Sequence, residues 1–318
     1  MAVLGSTRPP DFDAVEAQAE VRLCDEAELP DGIRGAEVLF VWDFLSHAVP
    51  AAWPYADQLR WVHIASAGVD TLMFDGLRDS DVALTNSRGV FDDAIAEYVL
   101  GLVLTFAKDF AGTVDHQRAR QWQHRETERI AGKRALIVGT GGIGRATARL
   151  LRAAGLQVAG VGRTARGQDP DFEVVHAAED LTSRLGWGDY VVCAAPLTDA
   201  TRGMFDAAAF AAMKPTARFV NVGRGAHVIT SDLEAALTAG DIAGAALDVF
   251  EAEPLPKGSA LWSMPNVVVS PHMSGDFIGW ESALVSIFTD NFQRWIAGES
   301  LRNVVDKELG YPKPTQRP

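Results

Sequence analysis

The sequence predicts an α/β protein made of parallel sheets flanked by helices, one of them doubly wound. Three observations predict it. From residue 134 to residue 270 short apolar runs alternate with segments of helical composition. A glycine-rich turn, Gly139-Thr-Gly-Gly-Ile-Gly144, joins the first of these runs to the first helical segment. Before them, the first hundred residues carry further short apolar runs set between turns and polar segments. Regular strand–helix alternation implies parallel strands joined by right-handed crossovers.

In chain order, apolar runs at 39–42, 59–64 and 82–85 read as strands of a small parallel sheet. Residues 97–110 are strongly apolar with little turn character and read as one buried or interface helix, and the charged segment 118–128 as exposed. Candidate strands follow at 135–138, 157–161, 190–194, 218–222, 243–249 and 267–270, with helical segments at 144–154, 206–212 and 231–239. Ser231 and Glu234 fit a capping box ahead of Leu233, Ala236 and Leu237. The proline-rich ending, 311–318, reads as a frayed tail. These elements divide into a dinucleotide-binding domain at 107–276, inserted into a smaller domain at 1–106 and 277–318 to which residues 280–309 return.

Composition narrows the function. The chain has 318 residues, 47% of them hydrophobic, enough for two domains with real cores. A net charge of −13 argues against a nucleic-acid partner and against anionic membranes. Cys24 and Cys193 are far apart, without metal spacing, which points to a reducing compartment and no metal site. Cys193 lies in an apolar run and reads as a core thiol. No basic-then-apolar leader and no membrane-length run is seen, so a cytoplasmic location is expected.

The glycine turn carries the first chemical inference. Strand, turn and helix around GxGxxG read as a dinucleotide site, the other reading being a glycine-rich turn in a different α/β protein: Gly139 permits the turn, Gly141 keeps side chains off a pyrophosphate, and Gly144 lets the helix approach its strand. Gly142 and Ile143 lie at the helix N-terminus, whose free N–H groups favour phosphate. In NAD-binding sites an acid usually ends the second strand and holds the ribose 2′-hydroxyl. Here that position falls near Gly162, and no acid occurs from Arg145 through Gln168. The chain instead reads Gly162-Arg-Thr-Ala-Arg166, and Arg163, Thr164 and Arg166 suit a 2′-phosphate. NADP(H) is therefore expected over NAD(H), the other candidate; the competing reading is a solvated basic loop.

Three polar residues fall beyond predicted strand ends on one side of the sheet: Arg224, Glu253 and His272. Singly, each reads more readily as core, surface or loop polarity. Together they hold the parts of a carbonyl reduction: an imidazole to give a proton, a carboxylate to fix its tautomer, and a guanidinium to grip a carboxylate and polarise a carbonyl.

The residues that carry these features resemble, in order and spacing over nearly the whole chain, the D-isomer-specific 2-hydroxyacid dehydrogenases, a family that includes glyoxylate/hydroxypyruvate reductases and phosphoglycerate dehydrogenase. The carrying segments are Ser66-Ala-Gly-Val-Asp70, Asn86-Ser-Arg-Gly-Val90 with Ala96-Glu-Tyr98, Gly139–Gly144, Asn221-Val-Gly-Arg-Gly225, Leu247-Asp-Val-Phe-Glu-Ala-Glu-Pro254 and Ser270-Pro-His272. The resemblance implies a Rossmann dinucleotide domain inserted into a flavodoxin-like substrate domain, and a D-2-hydroxyacid dehydrogenase or 2-oxoacid reductase. It makes Arg224, Glu253 and His272 catalytic and gives the substrate carboxylate to Ala67, Gly68 and Val69 together with Arg224. It assigns Asp248 to the nicotinamide carboxamide and the Pro196 turn with Thr201 to the adenosine half; Val222 and Gly223 join the cofactor set. It also implies a homodimer, with 97–110 and the polar segment after it as a contact. Trp42 and Trp280 read either as pocket walls or as packing aromatics. Glyoxylate, hydroxypyruvate, phenylpyruvate and branched oxoacids all stay open as substrates. A dinucleotide-sensing or scaffold protein, and an amino-acid dehydrogenase, are the other classes weighed.

Overall fold

The computed structural model describes residues 1–312, which form two compact units. The first comprises residues 1–90 and 277–312 of the described chain. Its sheet holds β1 (Ala2–Leu4), β2 (Arg22–Cys24), β3 (Val38–Val41), β4 (Trp61–Ile64) and β5 (Ala83–Asn86), all parallel, in the order β2-β1-β3-β4-β5. That is the flavodoxin-like order. The sequence reading found β3, β4 and β5; β1 and β2 are three residues each, too short for a periodic signal. The helix Trp280–Ala297 covers one face. Its Phe288 stacks on Phe40 with ring centroids 4.1 Å apart, and also on Phe12 and Trp61. This is how the last segment returns to the first unit.

The second unit spans 91–276. It contains β6 (Arg134–Val138), β7 (Gln157–Gly162), β8 (Val175–Ala177), β9 (Tyr190–Cys193), β10 (Arg218–Asn221), β11 (Gly244–Leu247) and β12 (Val267–Val269), all parallel, in the order β12-β11-β10-β9-β6-β7-β8. The chain runs outward from β6 to β8, then crosses to β9 and runs the other way. The order reverses between β6 and β9, and the crevice at their carboxyl ends is where such sheets bind ligands.

The expected boundary at 106/107 is corrected to 90/91. The helix Asp92–Lys108 belongs to the second unit because it packs along the helix Gly142–Ala153, burying Ile95, Val99, Leu102 and Val103. The single helix expected over 97–110 is two. Asp109 adopts a left-handed conformation (φ 48°) that ends the first, and its carboxylate accepts from Gly112 N–H at 3.1 Å to open a second at Phe110–Arg118. The capping box at Ser231 does not form. The helix starts at Thr230, which places Ser231 inside its first turn, and Glu251 receives the Thr230 N–H and hydroxyl instead. Of the tail expected to fray, Tyr311–Pro312 pairs with Val305–Asp306 as β14 and β13; residues 313–318 lie outside the described residues.

His63 on β4 is fully buried under Phe40, Trp61 and Phe288. Thr85 Oγ1 accepts from Trp61 Nε1 at 2.8 Å and lies 2.7 Å from His63 Nδ1; Ser87 Oγ lies 3.2 Å from Nε2 and itself donates to the Ile64 carbonyl. A neutral ring protonated on Nε2 satisfies this chain. Burial lowers its pKa from 6.5 to about 3. Between those values the unfolded chain binds a proton that the folded chain refuses, so stability falls as pH drops below 6.5. At pH 5 the expected loss from this group is about 2 kcal/mol. Melting temperatures from pH 7.5 to 5 check it: His63→Asn should show a shallower pH dependence than the unaltered protein, and parallel curves would refute the assignment.

Candidate active site

The crevice of the second unit is built by close backbone approach. Gly139 leaves β6 with φ +108°, and a Cβ there would collide with the Ala194 carbonyl beyond β9. A Cβ on Gly144 would collide with the Gly139 carbonyl, so the helix that follows sits as near its strand as backbone permits. Gly141 caps that helix, and a Cβ there would meet nothing within 4 Å. The cradle thus opens at Gly141, where the helix-head N–H groups of Gly142 and Ile143 suit a pyrophosphate. Gly142 has a second reason to be glycine, which the sequence reading missed: the Asp92 carboxylate lies directly against it.

The loop after β7 differs in part from expectation. Arg163 and Thr164 are exposed. Arg166 is pinned by backbone pairing with Val175 and by Asp169, whose carboxylate accepts from Arg166 Nε at 2.9 Å and from both Arg145 terminal nitrogens at 2.9 Å. Asp169 is the first acid after the acid-free stretch 145–168, and its side chain is 2% exposed. Burial pushes its pKa up, but the bonds from Arg145, the Asp171 amide and Arg166 outweigh that and hold it well below the usual carboxylate range. Arg166 is therefore no loose surface cation. Its Nη2 is buried without a hydrogen-bond partner among the described residues.

Thr201 Oγ1 donates to the Pro196 carbonyl at 2.8 Å and accepts the Thr198 amide at 2.9 Å, closing the turn after β9. His227 Nε2 reaches the same Pro196 carbonyl at 3.3 Å, while its Nδ1 lies 3.1 Å from the Arg224 amide. A neutral ring with its proton on Nε2 serves both. After β10, Val222 is buried and bonds back to the Cys193 carbonyl; the Asn221 side chain accepts the Gly223 amide at 3.1 Å and donates to the Arg224 carbonyl at 3.0 Å. Gly225 packs against the Phe250 carbonyl. Arg224 is thus presented by a turn braced on Asn221, His227 and Phe250. Asn221 was visible only as part of a motif, and His227 left no sequence signal because its Nε2 partner, Pro196, lies on another loop.

Glu253 and His272 meet: Nδ1 and Oε2 are 2.7 Å apart, each side chain 29% exposed. The other carboxylate oxygen, Oε1, accepts the Phe250 amide at 2.8 Å. For Glu253, desolvation raises the pKa, but the His272 and Phe250 hydrogen bonds and the charges of His272 and Arg224 prevail and lower it. His272 itself sits at φ +54°, a costly conformation for a residue with a Cβ. Asp248 holds it there. Its backbone carbonyl accepts the His272 amide at 2.8 Å, and its fully buried carboxylate accepts from Ser270 Oγ, the Met273 amide and the Ser274 amide at 2.7–2.9 Å. Asp248, expected to serve a nicotinamide carboxamide, is mostly committed to building the histidine loop.

In the first unit, Ala67–Val69 form the turn after β4. Its carbonyls are used: Asn86 Nδ2 donates to Ala67 O at 2.6 Å and Ser66 Oγ to Gly68 O at 2.5 Å. No acceptor among the described residues takes the amides of Ala67, Gly68 or Val69. Trp42 is 9% exposed, packed on Phe40 and over Gly5, so it serves the core of its own unit; Trp280 meets Phe44 edge-on at 6.3 Å. Among the described residues no helix is long and apolar enough to cross a membrane, and no cluster of three His, Cys, Asp or Glu residues is placed to hold a metal.

Sheet order, glycine cradle and imidazole–carboxylate pair define the class: a two-unit α/β protein with a Rossmann dinucleotide domain of the dehydrogenase kind. The model of the NAD binding domain of D-isomer specific 2-hydroxyacid dehydrogenases matches residues 100–274. A glyoxylate reductase of Thermococcus gammatolerans is 30% identical over 93% of this chain and 90% of its own length. The crystal structure of a D-isomer specific 2-hydroxyacid dehydrogenase from Xanthobacter autotrophicus Py2, in complex with NADPH and MES, is 34% identical with TM-score 0.81, covering 98% of this chain and 100% of the other. An NADPH-dependent glyoxylate/hydroxypyruvate reductase from Sinorhizobium meliloti, in complex with NADP and sulfate, is 29% identical with TM-score 0.83 over 98% and 99% of the two chains. The chain belongs to the D-isomer specific 2-hydroxyacid dehydrogenase family and so to the oxidoreductases that act on CH–OH groups.

Proposed function

We propose that this protein is an NADP(H)-preferring 2-oxoacid reductase, running in reverse as a D-2-hydroxyacid dehydrogenase. The observation that carries the reaction is the His272–Glu253 pair at 2.7 Å beside the Arg224 turn. Glu253 engages Nδ1, which leaves Nε2 as the atom that exchanges a proton with the substrate oxygen. The Arg224 guanidinium grips the 2-oxoacid and polarises its carbonyl, and the untaken amides of Ala67, Gly68 and Val69 suit its carboxylate. Gly139, Gly141, Gly142, Ile143 and Gly144 hold the pyrophosphate; Pro196, Thr201, Val222 and Gly223 line the rest of the nucleotide path. Asp248 has room for at most one further donor, such as a carboxamide. A bound nicotinamide supplies the hydride.

Two observations support the 2′-phosphate: Arg166, oriented by Asp169 on the loop beyond β7, and the absence of an acid at the end of that strand. Relatives in complex with NADPH and NADP agree with that reading. The substrate is a small 2-oxoacid, glyoxylate and hydroxypyruvate first among those to try, after the names of the relatives. Two buried, unpaired cysteines fit a reducing cytoplasm. The purified protein with NADPH or NADH and a panel of 2-oxoacids, followed at 340 nm, tests the reaction. Oxoacid-dependent oxidation faster with NADPH is expected. Nucleotide binding without turnover on any oxoacid would favour a sensor instead.

His272→Ala should lower kcat by about 10²–10⁴-fold, the usual range for a general acid–base. Glu253→Gln should move the alkaline limb of the reductive kcat/KM profile to lower pH, because the imidazolium loses its counter-ion. Near-normal turnover in the first variant, or an unmoved limb in the second, would break the pair's assigned role.

We also assign a homodimer, with the helix Phe110–Arg118 and the segment after it as the contact. Phe110, Val114 and Trp122 are all exposed there, Trp122 completely. Sedimentation at micromolar concentration should show twice the 34.2 kDa chain, and Trp122→Ser should weaken it. A monomer at all concentrations would remove the assignment.

A further inference from the structure

Strand β7 contains two glycines, Gly160 and Gly162, and neither has the positive φ that favours glycine. Space explains both. A Cβ on residue 160 would stand 3.0 Å from Thr140 Cγ2 and 3.0 Å from Phe172 Cδ1. A Cβ on residue 162 would stand 2.7 Å from Thr140 Oγ1 and 3.2 Å from Thr140 Cγ2. Comfortable contacts between carbon atoms lie at roughly 3.5–4.0 Å. Thr140 is the second residue of the glycine turn, so folding that turn lays its branched side chain across the end of β7. Because the branch is at Cβ, two of its three staggered positions always hold a heavy atom.

Residue 162 is where an acid would grip a ribose 2′-hydroxyl. We propose that Thr140 is a specificity-determining residue: its side chain fills the space an acidic side chain at position 162 would need, and so keeps the end of β7 clear for a 2′-phosphate. The proposal rests on the NADP(H) reading above. It explains more than a missing acid does, because glycine at 162 becomes a requirement imposed by another residue. Once position 162 bears no charge, the remaining recognition comes from the loop beyond it. There Arg166 is held by Asp169, and its buried Nη2 has no partner among the described residues.

The test is a double-mutant cycle read by nucleotide binding and by melting. Dissociation constants for NADPH and NADH come from titration of the cofactor's fluorescence. Gly162→Asp alone should weaken NADPH and leave NADH no tighter than in the unaltered protein. Adding Thr140→Ala leaves only the residue-140 Cβ, 3.5 Å from where a Cβ on residue 162 would stand, and should tighten NADH about tenfold relative to Gly162→Asp alone. If Gly162→Asp alone gains NADH affinity as fully as the pair does, the proposal fails. Should the aspartate variant not fold, Gly162→Ala reads the same contact: it should lower Tm clearly beside Thr140 and by less than half as much beside Ala at position 140. Equal losses in the two backgrounds overturn the proposal. Discrimination by the unaltered protein is read separately. Equal dissociation constants for NADPH and NADH there would count against the cofactor reading, whereas the melting cycle judges the Thr140–Gly162 contact whichever cofactor is preferred.

Discussion

The constraint on which the second unit depends is how closely its chain can leave the adjacent strands β6, β9, β10 and β11. At the reversal of strand order the Gly139 turn lies directly on the Ala194 carbonyl, and the helix beyond it lies directly on Gly139. One exit further along, Gly225 lies directly on the Phe250 carbonyl. A methyl group at Gly139 or Gly225 would push two exits apart, and one at Gly144 would push the helix off its own strand. The effect would not stay local. The Arg224 turn and the segment leading to Glu253 touch through Gly225, and the Pro196 turn touches the Arg224 turn through His227. Geometry that reacting groups must hold to fractions of an ångström is thus set by backbone contacts, which are stiffer than side-chain contacts.

Around this frame the acids fall into two kinds. Asp248 and Asp169 are buried and spend their oxygens on neighbours: one organises a histidine loop, the other an arginine loop. Glu253 is half-buried and gives one oxygen to backbone and the other to His272, so it both fixes the ring and stays near solvent. Its depressed pKa means that its contribution to stability is complete above the ordinary carboxylate value and fades only as pH falls through the folded value. Near neutral pH the pair therefore keeps its carboxylate charged.

What the sequence made legible follows from what is local in it. Strands β3 to β7 and β9 to β12 are apolar runs with turns on either side, and the glycine turn has a fixed spacing; both are read without knowing the fold. The Arg224, Glu253 and His272 segments could be placed at strand ends for the same reason. What escaped was non-local or very short. β1, β2 and β8 are three residues each. Asp92 on Gly142, Asp169 on Arg145 and His227 on Pro196 are contacts between residues 24 to 50 positions apart. Asp169 shows the limit well. It directly follows the acid-free stretch 145–168, and it acts through an arginine that the sequence alone presents as a free cation. The domain boundary was missed because an apolar helix declares that it is buried without declaring against what.

His272, the proposed proton donor, sits in a left-handed backbone conformation, and its cost can be weighed. Holding such a residue costs of order 1–3 kcal/mol. Against it stand hydrogen bonds from Ser270, Met273 and Ser274 to a single buried carboxylate, each worth roughly 1.5–3 kcal/mol when the acceptor is charged. These bonds oppose the strain, so the loop's own contacts hold the conformation. The gain is direction: with His272 N–H turned back onto the Asp248 carbonyl, the ring is presented with Nδ1 on Glu253 and Nε2 away from it. An ordinary extended residue at 272 would carry the ring elsewhere on the loop, and Glu253, itself tied to Phe250, could not follow it. The imidazole's orientation is thus fixed twice, once through its backbone by Asp248 and once through its ring by Glu253. The two anchors act on different degrees of freedom, the backbone and the ring, so neither replaces the other.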